Sequence, residues 1–142
     1  MTQIQPVAPS DLLVQWRKMA PFVAKAAKRY EKDYDLEDVF EAIRSGKAML
    51  FGIEHGGELM GAMTVAPVHQ PKRKTLVIEL VGGKNAKLWY SDTVRQLADT
   101  ARNAGYDAIT SEARHGWRKM ASKVGFKETS VTYEMDLTDG TI

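Results

Sequence analysis

The chain contains no cysteine. That absence removes disulfides, thiol nucleophiles and Cys-ligated zinc or iron–sulfur centres together, and it suits a reducing compartment. Histidine is scarce. His55, His69 and His115 are the three, and none is paired with another histidine or a carboxylate at metal-binding spacing, so no metal is expected. No apolar run approaches the roughly 20 residues that cross a bilayer. Residues Met1 to Leu13 lack the basic segment and apolar stretch of a secretory signal. The expected location is the cytoplasm, with no membrane partner. An excess of one charge is also missing: 20 Lys plus Arg against 18 Asp plus Glu leave a net +2. Nucleic-acid binding through bulk charge is therefore not expected, and the short basic run Lys72-Arg73-Lys74 reads as a solvated loop. Neither a Gly-x-Ser-x-Gly elbow nor a Walker loop occurs.

What is present is 142 residues, 44% hydrophobic and 27% charged. This is the composition of one globular domain, expected over residues 1–137, with a loose tail at 138–142.

Hydrophobic periodicity places the elements. A first strand is expected over Gln3–Val7. Leu12 to Tyr30 carries apolar residues at helical spacing, with Pro21 predicted to kink or split it. The basic residues Lys25, Lys28, Arg29 and Lys32 near its end read as a solvated face. Asp35 caps a second helix with the stripe Leu36, Val39, Phe40 and Ile43. Strands are predicted at Lys47–Glu54 and Leu59–Ala66, joined by the turn signal His55-Gly56-Gly57-Glu58. After a polar loop at Pro67–Lys74, a strand follows at Thr75–Val81. The segment Gly82-Gly83-Lys84-Asn85-Ala86-Lys87 reads as a loop before a helix that ends at Gly105. Then come a strand at Tyr106–Thr110, a helix at Arg114–Val124 closed by Gly125, and a last strand at Phe126–Leu137. A strand–helix–strand unit requires a parallel pair, and the hairpins require antiparallel ones. The expectation is a mixed central sheet with helices on both faces, an α+β fold.

The run from Trp117 through Gly125-Phe126 to Glu128 resembles the helix of the GNAT N-acetyltransferase superfamily that leads into a Gly-Phe pair. Trp16, Pro21, Glu37-Asp38-Val39, Gly46 to Leu50 and Arg114-His115-Gly116-Trp117 together resemble small GNAT-like proteins of phages and prophages. The resemblance spans nearly the whole chain. It implies a slot between the strand before the long helix and the next strand, receiving the pantetheine arm of acetyl-CoA or another acyl-CoA. It implies coenzyme contacts from Leu80 and Val81 and from the loop Gly82, Gly83, Lys84, Asn85, Ala86 and Lys87. A helix start offers unpaired N–H donors to a diphosphate there.

Transfer of an acyl group to an amine needs a base. Glu79 interrupts an apolar strand just where the family often places a catalytic Glu, and burial there raises a carboxyl pKa. Tyr133, on the expected last strand, is the catalytic acid named with it; Tyr90 and Tyr106 are alternatives. Arg114, His115 and Trp117 form a polar–aromatic cluster for an acceptor amine, on a small molecule or a protein. Departures from the family pattern stand beside these matches. Lys84 occupies the place of a loop Gly, Val81 that of a Gln or Arg, and Ala121 that of the usual Tyr. The alternative reading is a GNAT-shaped phage protein without transferase activity, a virion component or a partner of a host protein. Oligomer formation is left open.

Overall fold

Apolar residues at alternate positions fold into five strands, and the helical stripes between them cover the two faces of the resulting sheet. The computed structural model describes residues 1–112 and 115–138. Strands β1 (Thr2–Pro6), β2 (Met49–His55), β3 (Glu58–Gln70), β4 (Arg73–Gly83) and β5 (Ala108–Ser111) lie side by side in chain order. Pairing is antiparallel from β1 to β4 and parallel between β4 and β5. Helix α3 (Ala86–Asn103) makes the crossover that a parallel pair demands. The remaining helices are α1 (Leu12–Ala27), α2 (Leu36–Arg44) and the short α4 (Arg118–Lys123). The fold is thus the mixed α+β architecture expected, in one domain.

Each face of the sheet has its own core. On one, Met63, Val65, Leu76 and Ile78 pack against Trp89, Val94 and Leu97 of α3. On the other, Leu50, Ala62 and Leu80 pack against Met19, Val23 and Ala27 of α1 and Val39 of α2. Local signals explain where the elements start and turn. Asp35 and Asp38 exchange side-chain-to-backbone hydrogen bonds of 2.9 Å, a capping box that starts α2. Gly56 and Gly57 adopt φ of 61° and 81° in the β2–β3 turn, a conformation that costs glycine little.

Four expectations are corrected. Pro21 does not split the first helix, since α1 continues through it. Pro21 and Arg17, whose carbonyl loses its i+4 donor, are both exposed, so that carbonyl is open to solvent. The segment from Pro67 to Lys74 is not a polar loop. It continues the hairpin, with Pro67 paired to Leu76 and Gln70 to Arg73. Gly82 and Gly83 belong to β4, Lys84 and Asn85 alone form the link, and Ala86 and Lys87 already lie in α3. The last strand, Phe126–Leu137, does not form. Phe126 packs on the α3-side core, whereas Val131, Tyr133, Met135 and Leu137 are all exposed. Alternation creates an apolar face, but a strand also needs a hydrogen-bonded neighbour. Among the described residues none pairs with the outer edge of β5. The expected tail at 138–142 lies, beyond Thr138, outside the described residues.

Candidate active site

Strand β4 is paired to β3 along its whole length but to β5 along only four residues, from Thr75–Ala108 to Ile78–Ser111. The closed end of this parallel pair is pinned. The Lys74 N–H donates to the Asp107 carboxylate at 2.9 Å, and the Asp107 N–H donates to the Lys74 carbonyl at 2.8 Å. Past Ile78 and Ser111 the two strands part. From Glu79 to Gly83, β4 has no strand beside it on that side among the described residues.

A bulge coincides with the parting. Opposite β3, Thr64 pairs with Leu80 and Val65 with Ile78, so Glu79 is the extra, unpaired residue. The insertion shifts the alternation of side chains. Leu76 and Ile78 enter the α3-side core, but Leu80, two residues on, enters the α1-side core. Without the extra residue Leu80 would stay on the first face.

The fork holds a cavity of about 200 Å³. Its walls are Ile78 to Gly83 of β4, Ser111 and Glu112 at the end of β5, Lys25 and Ala26 at the end of α1, Arg29 and Tyr30 in the 3-10 turn Lys28–Tyr30 that follows, Tyr90 of α3, and Trp117. The slot is not plugged. Trp89 is fully buried in the α3-side core, and its Nε1 donates to the Lys84 carbonyl at 2.7 Å. Trp117 forms part of the wall and packs on Tyr90 with ring centroids 5.2 Å apart.

The electrostatics of the cleft follow from burial. Partial desolvation holds the Glu79 carboxyl above the ordinary carboxylate range. Tyr34 stacks on Tyr30 at 5.6 Å. Its hydroxyl is pushed up to about 12, by burial first and then by Tyr30, Glu79, Asp33 and Glu112. Burial also raises Tyr90.

The structure brings some of the expected site residues together and separates others. Glu79, Leu80, Val81, Gly82, Gly83 and Trp117 share the cavity. Lys84, Asn85, Ala86 and Lys87 stand beyond its end, at the start of α3. Tyr133 is 91% exposed and is not part of the wall. His115 begins the single turn of 3-10 helix His115–Trp117. Arg114 lies outside the described residues. Glu112, Tyr30, Lys25 and Arg29 were not anticipated. The signal for the last three was the i,i+4 spacing of Lys25 and Arg29 with an adjacent aromatic, which sequence alone reads as a solvated helix face.

The glycine pair has a packing role that the sequence did not disclose. A Cβ at Gly82 would come within 2.6 Å of the Phe22 carbonyl oxygen, and one at Gly83 would overlap the Met60 carbonyl oxygen. These glycines admit the close approach of α1 and β3. The Lys84 N–H is likewise committed, donating to the Met60 carbonyl at 2.8 Å. The fork nevertheless suits a coenzyme arm. The free edge of β4 offers backbone groups to the amides of a pantetheine chain. Helix α3, entered from Asn85 at φ 51°, leaves the N–H groups of Ala86 and Lys87 without intrahelical acceptors. Among the described residues no group of three His, Asp or Glu side chains is placed to hold a metal, and no helix is long and apolar enough to cross a membrane.

No protein-family model and no curated protein matches the chain in sequence. Solved structures do match in shape. A probable acetyltransferase superposes with a TM-score of 0.72 at 13% identity, covering 95% of this chain and 97% of that one. An aminoglycoside acetyltransferase from an uncultured soil metagenomic sample, in complex with sisomicin, gives 0.70 at 13% identity, covering 96% of each chain. The ribosomal-protein-alanine N-acetyltransferase of Brucella melitensis biovar Abortus 2308 gives 0.68 at 15% identity, covering 96% of this chain and 100% of that one. Likeness at these identities is likeness of fold, and the fold these comparisons identify is that of the GNAT acetyltransferases.

Proposed function

We propose that the β4–β5 fork is the active site of an acyltransferase that moves an acetyl or related acyl group from acyl-CoA to an amine. The observation that carries this reading is the coincidence of three features at one place. The two strands part, β4 bulges, and Glu79 occupies the bulge at the wall of the cavity. The three structural neighbours, all acetyltransferases by name, support it.

The residues divide the work by position. The free edge of β4 from Leu80 to Gly83 holds the pantetheine arm. The N–H groups of Ala86 and Lys87, aided by the side chains of Lys84 and Lys87, hold the diphosphate. When bound, the coenzyme supplies an activated thioester. Glu79 accepts a proton from the acceptor ammonium, which frees the nitrogen lone pair for attack. Its raised pKa makes it a stronger base than an ordinary carboxylate and brings it closer to working pH. Tyr90 retains its hydroxyl proton at neutral pH and stands at the same wall, where Tyr133 does not. Trp117 packs on Tyr90 and excludes water from that side.

The test is release of free CoA thiol from acetyl-CoA in the presence of a panel of primary amines. Amine-dependent release by the wild-type chain supports the reading. No release with any amine, together with no binding of acetyl-CoA, would refute it.

A further inference from the structure

Two charges of each sign line the cleft, none of them in a salt bridge among the described residues. Lys25, in the last turn of α1, and Arg29, in the 3-10 turn Lys28–Tyr30 that follows it, stand on one wall. Glu79 and Glu112 stand where β4 and β5 part. The salt bridges among the described residues, Glu41–Arg44, Asp92–Arg95, Asp99–Arg102 and Arg118–Glu128, involve none of the four. Arg29 touches only an aromatic face, with its guanidinium 5.7 Å from the centre of the Tyr30 ring. All four side chains reach solvent, and charges of both signs around one cavity are complementary to a ligand that carries both.

We propose that the acceptor is a small molecule carrying both an ammonium and an anionic group. Its amine lies against Glu79 and Glu112, and its carboxylate or phosphate lies against Lys25 and Arg29. The assignment of the reacting end rests on the transferase reading; the pairing of charges does not. Lys25 and Arg29, both lining the cavity, form a two-pronged cationic wall that disfavours a polycation. The coenzyme diphosphate is the other anion in the system. Its proposed seat at Lys84 to Lys87 does not line this cavity, so the two cations remain for the acceptor.

Calorimetry with charge-matched ligands tests this. The probes are 2-aminoethyl phosphate against ethanolamine, serine against serine amide, and spermidine. The protein is the wild-type chain and the Lys25→Gln/Arg29→Gln double variant, both side chains being exposed. The expected result is at least about tenfold tighter binding of a zwitterion than of its matched cation. That preference disappears in the double variant, while its affinity for acetyl-CoA is unchanged. Equal or tighter binding of ethanolamine or spermidine would overturn the proposal. So would a double variant that keeps the preference, or one that loses acetyl-CoA affinity instead, which would assign the cations to the coenzyme. Zwitterion preference without thiol release would count against the transferase reading and leave the binding site standing.

Discussion

Glu79 and Glu112 occupy equivalent positions on the two arms of a fork, each the first residue beyond the last β4–β5 pair, Ile78–Ser111. The fork therefore opens directly onto two carboxylates. Tyr34 lies within electrostatic reach of both. Only Glu79 sits on a bulge, and partial burial raises its pKa. The two residues share a location, and on the proposed reading the bulge and the raised pKa favour Glu79 as the base.

Replacing Glu79 with Gln keeps the shape and removes the base. Turnover should fall about 10²- to 10⁴-fold, with little change in the affinity for acetyl-CoA. In the wild type, kcat/KM should rise with pH through the raised Glu79 pKa and then level. Glu79→Gln should lose that acid limb. Steady-state kinetics from pH 5 upward check both; an unchanged profile in the variant would remove Glu79 from the mechanism.

The same substitution has a stability consequence of opposite sense. A carboxyl whose folded pKa is raised stabilises the native state only while it is protonated. Its contribution is full below the unfolded pKa and is lost as pH rises through the folded one. At neutral pH the ionised, partly desolvated Glu79 is a burden that Gln lacks. Glu79→Gln should therefore melt at a higher temperature than wild type near pH 7. The difference should vanish below the ordinary carboxylate range, as thermal melts across pH would record.

Gly83→Ala should destabilise the chain by about 1–3 kcal/mol, because the added methyl collides with backbone and not with a movable side chain. Its Cβ would meet the Met60 carbonyl and lie 2.6 Å from the Gly61 Cα. Urea unfolding measures the loss. Wild-type stability in the variant would mean that β3 and β4 are not so closely apposed there.

Much of this arrangement was legible in the sequence. The strand–helix order and the Gly125-Phe126 resemblance led to the mixed sheet and to the fork, and Glu79 stood out as a charge in an apolar strand. The glycine pair did not disclose its role. Gly82 and Gly83 are equally suited to a phosphate loop and to close packing of backbone, and only the positions of Phe22 and Met60 reveal the packing. Glu112 gave no signal, because its significance depends on where β5 stops pairing. Lys25 and Arg29 look like any solvated pair until α1 is laid against the opening. The final strand was over-read: Val131, Tyr133, Met135 and Leu137 alternate correctly, but pairing is a property of the neighbour and not of the segment.

The central claim is that the gap between β4 and β5 admits an acyl-CoA, and filling that gap tests it most directly. Ser111 lines the cavity at the point of parting, so Ser111→Trp places an indole in the opening. Calorimetric titration with acetyl-CoA should show one coenzyme bound per wild-type chain and none bound to Ser111→Trp, with thermal melts confirming that the variant is folded. Absence of binding to the wild type at millimolar coenzyme, or equal binding to both proteins, would contradict the account.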